Sequence, residues 1–191
     1  MQSSTAKSRI INAAAKFFSQ FGFHKTTMGD IARGIHKVKG AIYYYFESKE
    51  ELYNEVLKQE LTSVQTYLSE IVNSDSNPLE ILGYYIRTRF KLLYEAKNYH
   101  ETLRADFIER YGFVDDIRKD FEEFERTQLL TILLKGKKEG VLKFSDLNSK
   151  VSLILMVLKS VEIPLFLQDK YEEYTSSIDE MINVITVGSN E

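Results

Sequence analysis

The stretch from Thr27 to Lys49 reads as two short helices joined by a tight turn, and no other pattern in the chain restricts the fold as much. Thr27 is placed to cap the free amides of the first helix, while Asp30, three residues on, suits the positive end of its dipole. Ile31 and Ile35 share one face. The turn falls at His36-Lys37-Val38, and a second helix is predicted from Lys39 to Phe46, a spacing that lets two helices cross steeply and seats the second in a major groove. Ile42 and Phe46 are four apart and face inward, which leaves Ala41 and the run Tyr43-Tyr44-Tyr45 for other directions. A helix turns about 100° per residue, so three successive rings cannot all enter one core. A small residue beside hydroxyl-bearing rings suits close approach to base edges and phosphates.

Charge divides along the same line. The chain of 191 residues has a net charge of −3, which taken alone disfavours a nucleic-acid partner. Residues 1–50, however, hold eight basic and three acidic side chains, a net +5, leaving −8 for the remainder. A basic head on an acidic body steers the correct end towards phosphate, and its binding weakens as salt rises. With 43% hydrophobic residues the chain can bury a sizeable core, and two prolines with nine glycines favour helices. No cysteine is present, which excludes disulfides and thiolate metal sites. Met1–Ser8 lacks a signal-peptide apolar stretch, and the longest apolar run, Leu153–Leu158, is far short of a membrane span of about 20 residues, so a cytoplasmic protein with no membrane partner is expected.

Beyond the head, Ser48 and Glu51 form a capping box for a fourth helix over Lys49–Val72, with Leu52, Val56, Leu61, Val64 and Leu68 on one stripe. Ser74–Asn77 stops it, and Pro78 opens a fifth helix reaching about Lys97, whose inner side carries Leu82, Tyr85, Ile86, Phe90, Leu93 and Tyr94. A shorter helix is predicted over Glu101–Tyr111, and a long one from Val114 to about Glu139, closed by Gly140. Lys135, Lys137 and Lys138 complement its dipole. The last two helices, Asp146–Leu167 and Tyr171–Val187, are apolar on more than one side, as a helix is when it is fully buried or when it meets a second subunit. Pro164 should kink or end the first of them.

The head resembles the amino-terminal domain of the tetracycline-repressor (TetR) family of transcriptional regulators. The residues that carry the resemblance are Thr26-Thr27, Asp30-Ile31-Ala32, Lys39-Gly40, Ile42-Tyr43, Tyr45-Phe46 and Ser48-Lys49-Glu50-Glu51-Leu52, after a helix with Ile11, Ala14, Ala15, Phe17 and Phe18 and then Gly22-Phe23. The chain departs from the family at His36, Lys37 and Val38, where Gly, a small aliphatic residue and Ser or Thr are usual, and at Gly29, where many relatives carry a longer polar residue. His tolerates the left-handed conformation a turn needs, though less readily than Gly, and Val38 cannot cap. The resemblance implies an all-α protein of about nine helices, with a helix-turn-helix DNA-binding domain over residues 1–48 and a ligand-binding and dimerisation domain over 49–191. It places Thr27, Lys39, Gly40, Ala41, Tyr43, Tyr44, Tyr45 and Lys49 at the DNA, with Ile31, Ala32, Ile42 and Phe46 in the core.

The resemblance further implies a homodimer closed by the last two helices, for which Ile154, Leu158, Val161, Ile178, Ile182 and Ile185 are the candidate contacts. Its partners would be a palindromic double-stranded DNA operator and a small-molecule effector that releases it, making the chain a repressor. Rings and sparse polar groups for a mostly apolar effector come from Tyr67, Tyr85, Phe90, Tyr94, Phe107, Tyr111, Phe124, Gln128 and Met156, although aromatics at helical spacing are more often plain core. Arg87, Arg89 and Arg104 read as solvated surface. His24, His36 and His100 share no helical face, so no metal is expected, and no cofactor loop or catalytic constellation stands out. The other function class open to this sequence is a helical small-molecule-binding or interaction module whose helix pair has lost DNA function; an enzyme fits least.

Overall fold

Local chemistry sets where the helices begin and end. The computed structural model describes residues 2–104 and 112–187, and among them it has nine α-helices and no strand. They are α1 Gln2–Phe21, α2 Met28–Gly34, α3 Lys39–Tyr43, α4 Lys49–Val72, α5 Pro78–Glu95, α6 Lys97–Glu101, α7 Asp115–Lys138, α8 Leu147–Ser160 and α9 Thr175–Val187. Ser48 Oγ accepts the amide of Glu51 at 3.0 Å, and the Glu51 carboxylate returns to the amide of Glu47, so α4 is capped from both sides as its sequence predicts. Asn77 caps α5 by accepting the amide of Leu79 at 2.9 Å, with Pro78 in the first turn. Gly140 closes α7 at φ 73°, and Lys135, Lys137 and Lys138 occupy the last turn of that helix.

Several boundaries differ from the sequence reading. The second head helix ends at Tyr43, three residues short of Phe46. Val38 gives it no side-chain cap, and a helix this short loosens into turns as soon as Ile42 and Phe46 are seated. The helix expected over Glu101–Tyr111 starts earlier, as α6, and residues 105–111 lie outside those described. His100 is therefore not a helix start but a buried residue of α6. Pro164 does end the α-helical ladder: α8 stops at Ser160, and a π-turn over Ile163–Leu167 follows. The last helix starts at Thr175, after an Asp169 held at φ 53°.

Two packed units make up the chain, Met1–Thr62 with Ala96–Ile117, and Ser63–Glu95 with Arg118–Glu191. In the first, α2 packs on α1 and α3 on α2, and α6 packs on α1. A Cβ at Gly34 would overlap the Phe17 ring, so glycine there lets α2 lie close to α1. Phe18, Phe23 and Tyr53 form an aromatic centre, with Tyr53 5.0 Å from Phe18 and 4.9 Å from Phe23. The second unit packs α5 against α9 where Gly83 faces Ile182.

The second unit also holds a charge cluster. Arg89 is fully buried, not solvated: its guanidinium forms a fork with both carboxylate oxygens of Glu125 and also bonds Glu162. Both carboxylates are buried as well, and burial pushes the Glu125 carboxyl up against the opposing pull of Arg89. Arg87, by contrast, stays exposed and meets Asp179 at 2.7 Å.

Candidate nucleic-acid interface

Helix α2 opens on a reciprocal cap. Thr27 Oγ1 accepts the amide of Asp30 at 3.2 Å, and the Asp30 carboxylate accepts the Thr27 amide at 3.0 Å and its hydroxyl at 2.6 Å. The Thr27 hydroxyl, followed by Arg33, holds the Asp30 carboxyl below its ordinary value. His36 then makes the turn at φ 55°, the left-handed conformation for which the family normally uses Gly. Ile31, Ala32, Ile42 and Phe46 are buried, which fixes the rotation of α2 and α3 about their axes.

That rotation decides what α3 presents. Tyr44 is 81% exposed and Tyr43 44%, so two of the three rings stand outside the core. Lys39 lies over the Tyr43 ring at 5.4 Å, and Tyr44 meets Tyr45 edge-on at 4.9 Å, so the rings are held in place while their hydroxyls stay available. Gly40 is exposed, with open space where a Cβ would be, which leaves α3 a low profile beside these rings. Tyr45 is half-buried and lines a cleft of about 230 Å³ with Ala6, Arg9, Ile10, Ile35, Lys37, Ala41 and Ile42. Arg9 and Lys37 are exposed cations at this cleft. The sequence reading counted them only as charge, because α1 and α3 are brought together by packing and not by spacing.

Lys49 is turned back onto the head. Its ammonium donates to the carbonyls of Phe23 at 2.8 Å and Thr26 at 3.2 Å and sits 4.2 Å above the Phe23 ring. Burial lowers its pKa, as expected of a cation taken partly out of water. These contacts form a clamp that ties the start of α4 to the turn after α1.

The candidate effector residues differ widely in burial. Tyr67 is 58% and Met156 63% exposed, whereas Tyr85 and Phe90 are fully buried. Tyr94 stacks on Tyr171 at 4.5 Å and Phe124 on Phe121 at 6.2 Å, Gln128 is half-buried, and Phe107 and Tyr111 lie outside the described residues. The buried Tyr85 hydroxyl has no hydrogen-bond partner among the described residues, and burial pushes it well up from its ordinary value.

The candidate dimer residues divide by burial. Ile154, Leu158, Ile178 and Ile182 are buried in their own subunit, since α8 turns its stripe of Val151, Ile154, Leu155 and Leu158 inward. Val161 and Ile185 are half-buried. An apolar stripe that is exposed or half-buried runs through Leu153, Val157 and Val161 of α8 and its end, beside Met181, Val184 and Ile185 of α9, and so takes in two of the candidates. Two adjoining clefts, of about 440 and 550 Å³, form a trough there. Among the described residues no helix is long and apolar enough to cross a membrane, and no group of three side chains could hold a metal ion.

Residues 10–56 match the family model described as bacterial regulatory proteins, tetR family. The chain is 39% identical over 141 residues to the HTH-type transcriptional regulator RutR of Escherichia coli strain K12, covering 71% of this chain and 65% of RutR. It is 26% identical over 193 residues to IcaR of Staphylococcus aureus strain Newman, the HTH-type negative transcriptional regulator of the biofilm operon icaADBC, covering 95% of this chain and 97% of IcaR. Among solved structures, the transcriptional regulator FadR of Bacillus subtilis in complex with stearoyl-CoA superposes with a TM-score of 0.78 at 19% identity, covering 95% of this chain and 98% of that one. A capped helix pair with its rings outward, a match to the family model over residues 10–56 that spans it and 39% identity to RutR over 71% of this chain converge on one assignment: the protein belongs to the tetR family of bacterial regulatory proteins.

Proposed function

We propose that the chain is a ligand-responsive repressor that binds a palindromic operator as a homodimer, with residues 1–48 as its DNA-binding domain and 49–191 as its effector and dimerisation domain. The observation that carries this reading is the exposure of Tyr43 and Tyr44 on a helix whose Ile42 and whose following Phe46 are fully buried. Side chains in that position can reach phosphate and base edges without cost to the core. Lys39, Gly40, Ala41 and Tyr45 flank them, Thr27 opens the neighbouring helix, and Arg9 and Lys37 add two cations beside the α1–α3 cleft.

Two copies are needed because one five-residue helix reads only a few base pairs. The trough between α8 and α9 supplies the contact, with Leu153, Val157, Met181 and Val184 carrying most of it. The effector is a small, mostly apolar molecule bound in the body, a reading supported by the stearoyl-CoA complex of a protein with the same fold. Release requires only that the effector bind two head spacings unequally; a coupling of about 1 to 3 kcal/mol changes operator affinity roughly 5- to 150-fold.

The test is selection of duplexes from a random-sequence pool, followed by footprinting and a salt titration. An inverted repeat with half-sites about one helical turn apart, and a log–log salt slope of several units, is the expected result. Enrichment of no sequence, or binding indifferent to salt, refutes the proposal.

A further inference from the structure

Helix α6 is only five residues long, and its own segment offers no side-chain cap: Ala96 stands at the N-cap. The missing acceptor comes from α4. Glu60 takes the amide of Asn98 at 3.4 Å and shares that of Tyr99, at 3.2 Å, with the carbonyl of Ala96 at 3.0 Å, both amides of the first turn of α6. The same carboxylate accepts Asn98 Nδ2 at 2.7 Å. Asn98, 2% exposed, also donates through Nδ2 to the carbonyl of Ala15 in α1 at 3.2 Å, and its own carbonyl accepts the Tyr53 hydroxyl at 2.8 Å. One carboxylate and one amide therefore join α1, α4 and α6, all inside the unit that contains the DNA head.

A remote cap is an odd way to finish a helix whose only duty is to fill space, because an Asp or Ser at position 96 would do it locally. Its effect is to make the register of α6 depend on α4. We propose that Glu60 is a positioning residue for DNA binding: by capping α6 from α4 and holding Asn98 against α1, it makes the head and α6 respond as one body. The proposal rests on the DNA-binding reading for its function, while the joint itself can be tested without DNA.

The experiment is residue-resolved amide hydrogen exchange on the full chain, wild type against Glu60→Ala and Glu60→Gln, free and with a duplex the protein has selected. In the free protein, Glu60→Ala is expected to speed exchange of the Asn98 and Tyr99 amides on the order of 10- to 150-fold, the loss of one charge-assisted bond at each, with α2 amides unchanged. Glu60→Gln, which keeps a neutral acceptor and safeguards folding, falls between. With DNA, the wild type slows exchange at Asn98 and Tyr99 together with the head, and Glu60→Ala loses that response and binds DNA more weakly despite an intact α2. A purely structural role predicts no DNA response at α6. Wild-type exchange at Asn98 and Tyr99 that ignores bound DNA overturns the proposal, as does a Glu60→Ala protein that exchanges like wild type. Failure of the wild type to select any duplex refutes the repressor reading, and the free-protein comparison still decides whether Glu60 joins the helices.

Discussion

Replacing Lys49 by Gln separates a clamp from a phosphate contact. The ammonium makes two hydrogen bonds to main-chain carbonyls and one cation–π contact, and it is only partly buried. Hydrogen bonds to charged groups contribute about 1.5 to 3 kcal/mol each when enclosed, and roughly 1 kcal/mol each is reasonable at a half-exposed site. The ring contact adds about 0.5 to 1 kcal/mol, and the desolvation that lowers the lysine's pKa offsets part of the total. Gln is too short to span both carbonyls, so the expected loss is about 2 kcal/mol, a fall in melting temperature of roughly 4 to 8 °C for a chain of this size. Thermal melting and a salt titration of DNA binding should be run on the same preparation. If Lys49 only clamps, the slope of log affinity against log salt is unchanged and the melt moves. A phosphate contact would instead cut the slope by about 0.9 with little change in melting. That second outcome would return Lys49 to the DNA.

Five further substitutions test the other surfaces and the buried charge cluster. Arg9→Ala should lower the salt slope by about 0.9 at unchanged melting, and Tyr44→Ala should weaken operator binding, also without moving the melt; a loss of stability in either places that side chain in the core after all. Val184→Asp should convert the dimer to folded monomers by sedimentation, whereas Ile154→Asp should unfold the body; a Val184→Asp dimer would rule out the trough as the interface. Glu125 is held above its ordinary value of 4.5 by burial, so the native state binds more protons than the unfolded chain between that value and the folded one. Its contribution to stability is therefore greatest in acid and fades as pH rises through the folded pKa. Glu125→Gln should flatten melting temperature against pH above 4.5 relative to wild type, and because Glu60, also raised by burial, is present in both proteins, an unaltered slope would show that Glu125 does not titrate there.

What could be read in advance was what depends on neighbours in sequence. The Thr27 cap, the left-handed His36 and the inward pair Ile42 and Phe46 each lie within one or two helical turns of the residues that explain them. Lys49 reaches carbonyls more than twenty positions away, and no local rule foretells that a long side chain will fold back instead of outward. The Arg89 cluster differs, because its signal was present and went unused. Arg89 continues the inner stripe of Leu82, Tyr85, Ile86 and Phe90; Glu125 lies between Phe121 and Leu129; Glu162 follows Leu158 by four. A charge set in an apolar stripe must be paired, and three such charges of mixed sign on three elements pair with one another at least cost. The stripe of α8 left open on the subunit was hidden for the opposite reason. A helix apolar on several sides has more than one face that fits the period, and Ile154 and Leu158 are as well spaced as Leu153 and Val157. Only the packing of α8 within the body, which buries Ile154 and Leu158 and leaves Leu153 exposed, distinguishes them, and that packing rests on contacts between helices that periodicity does not contain.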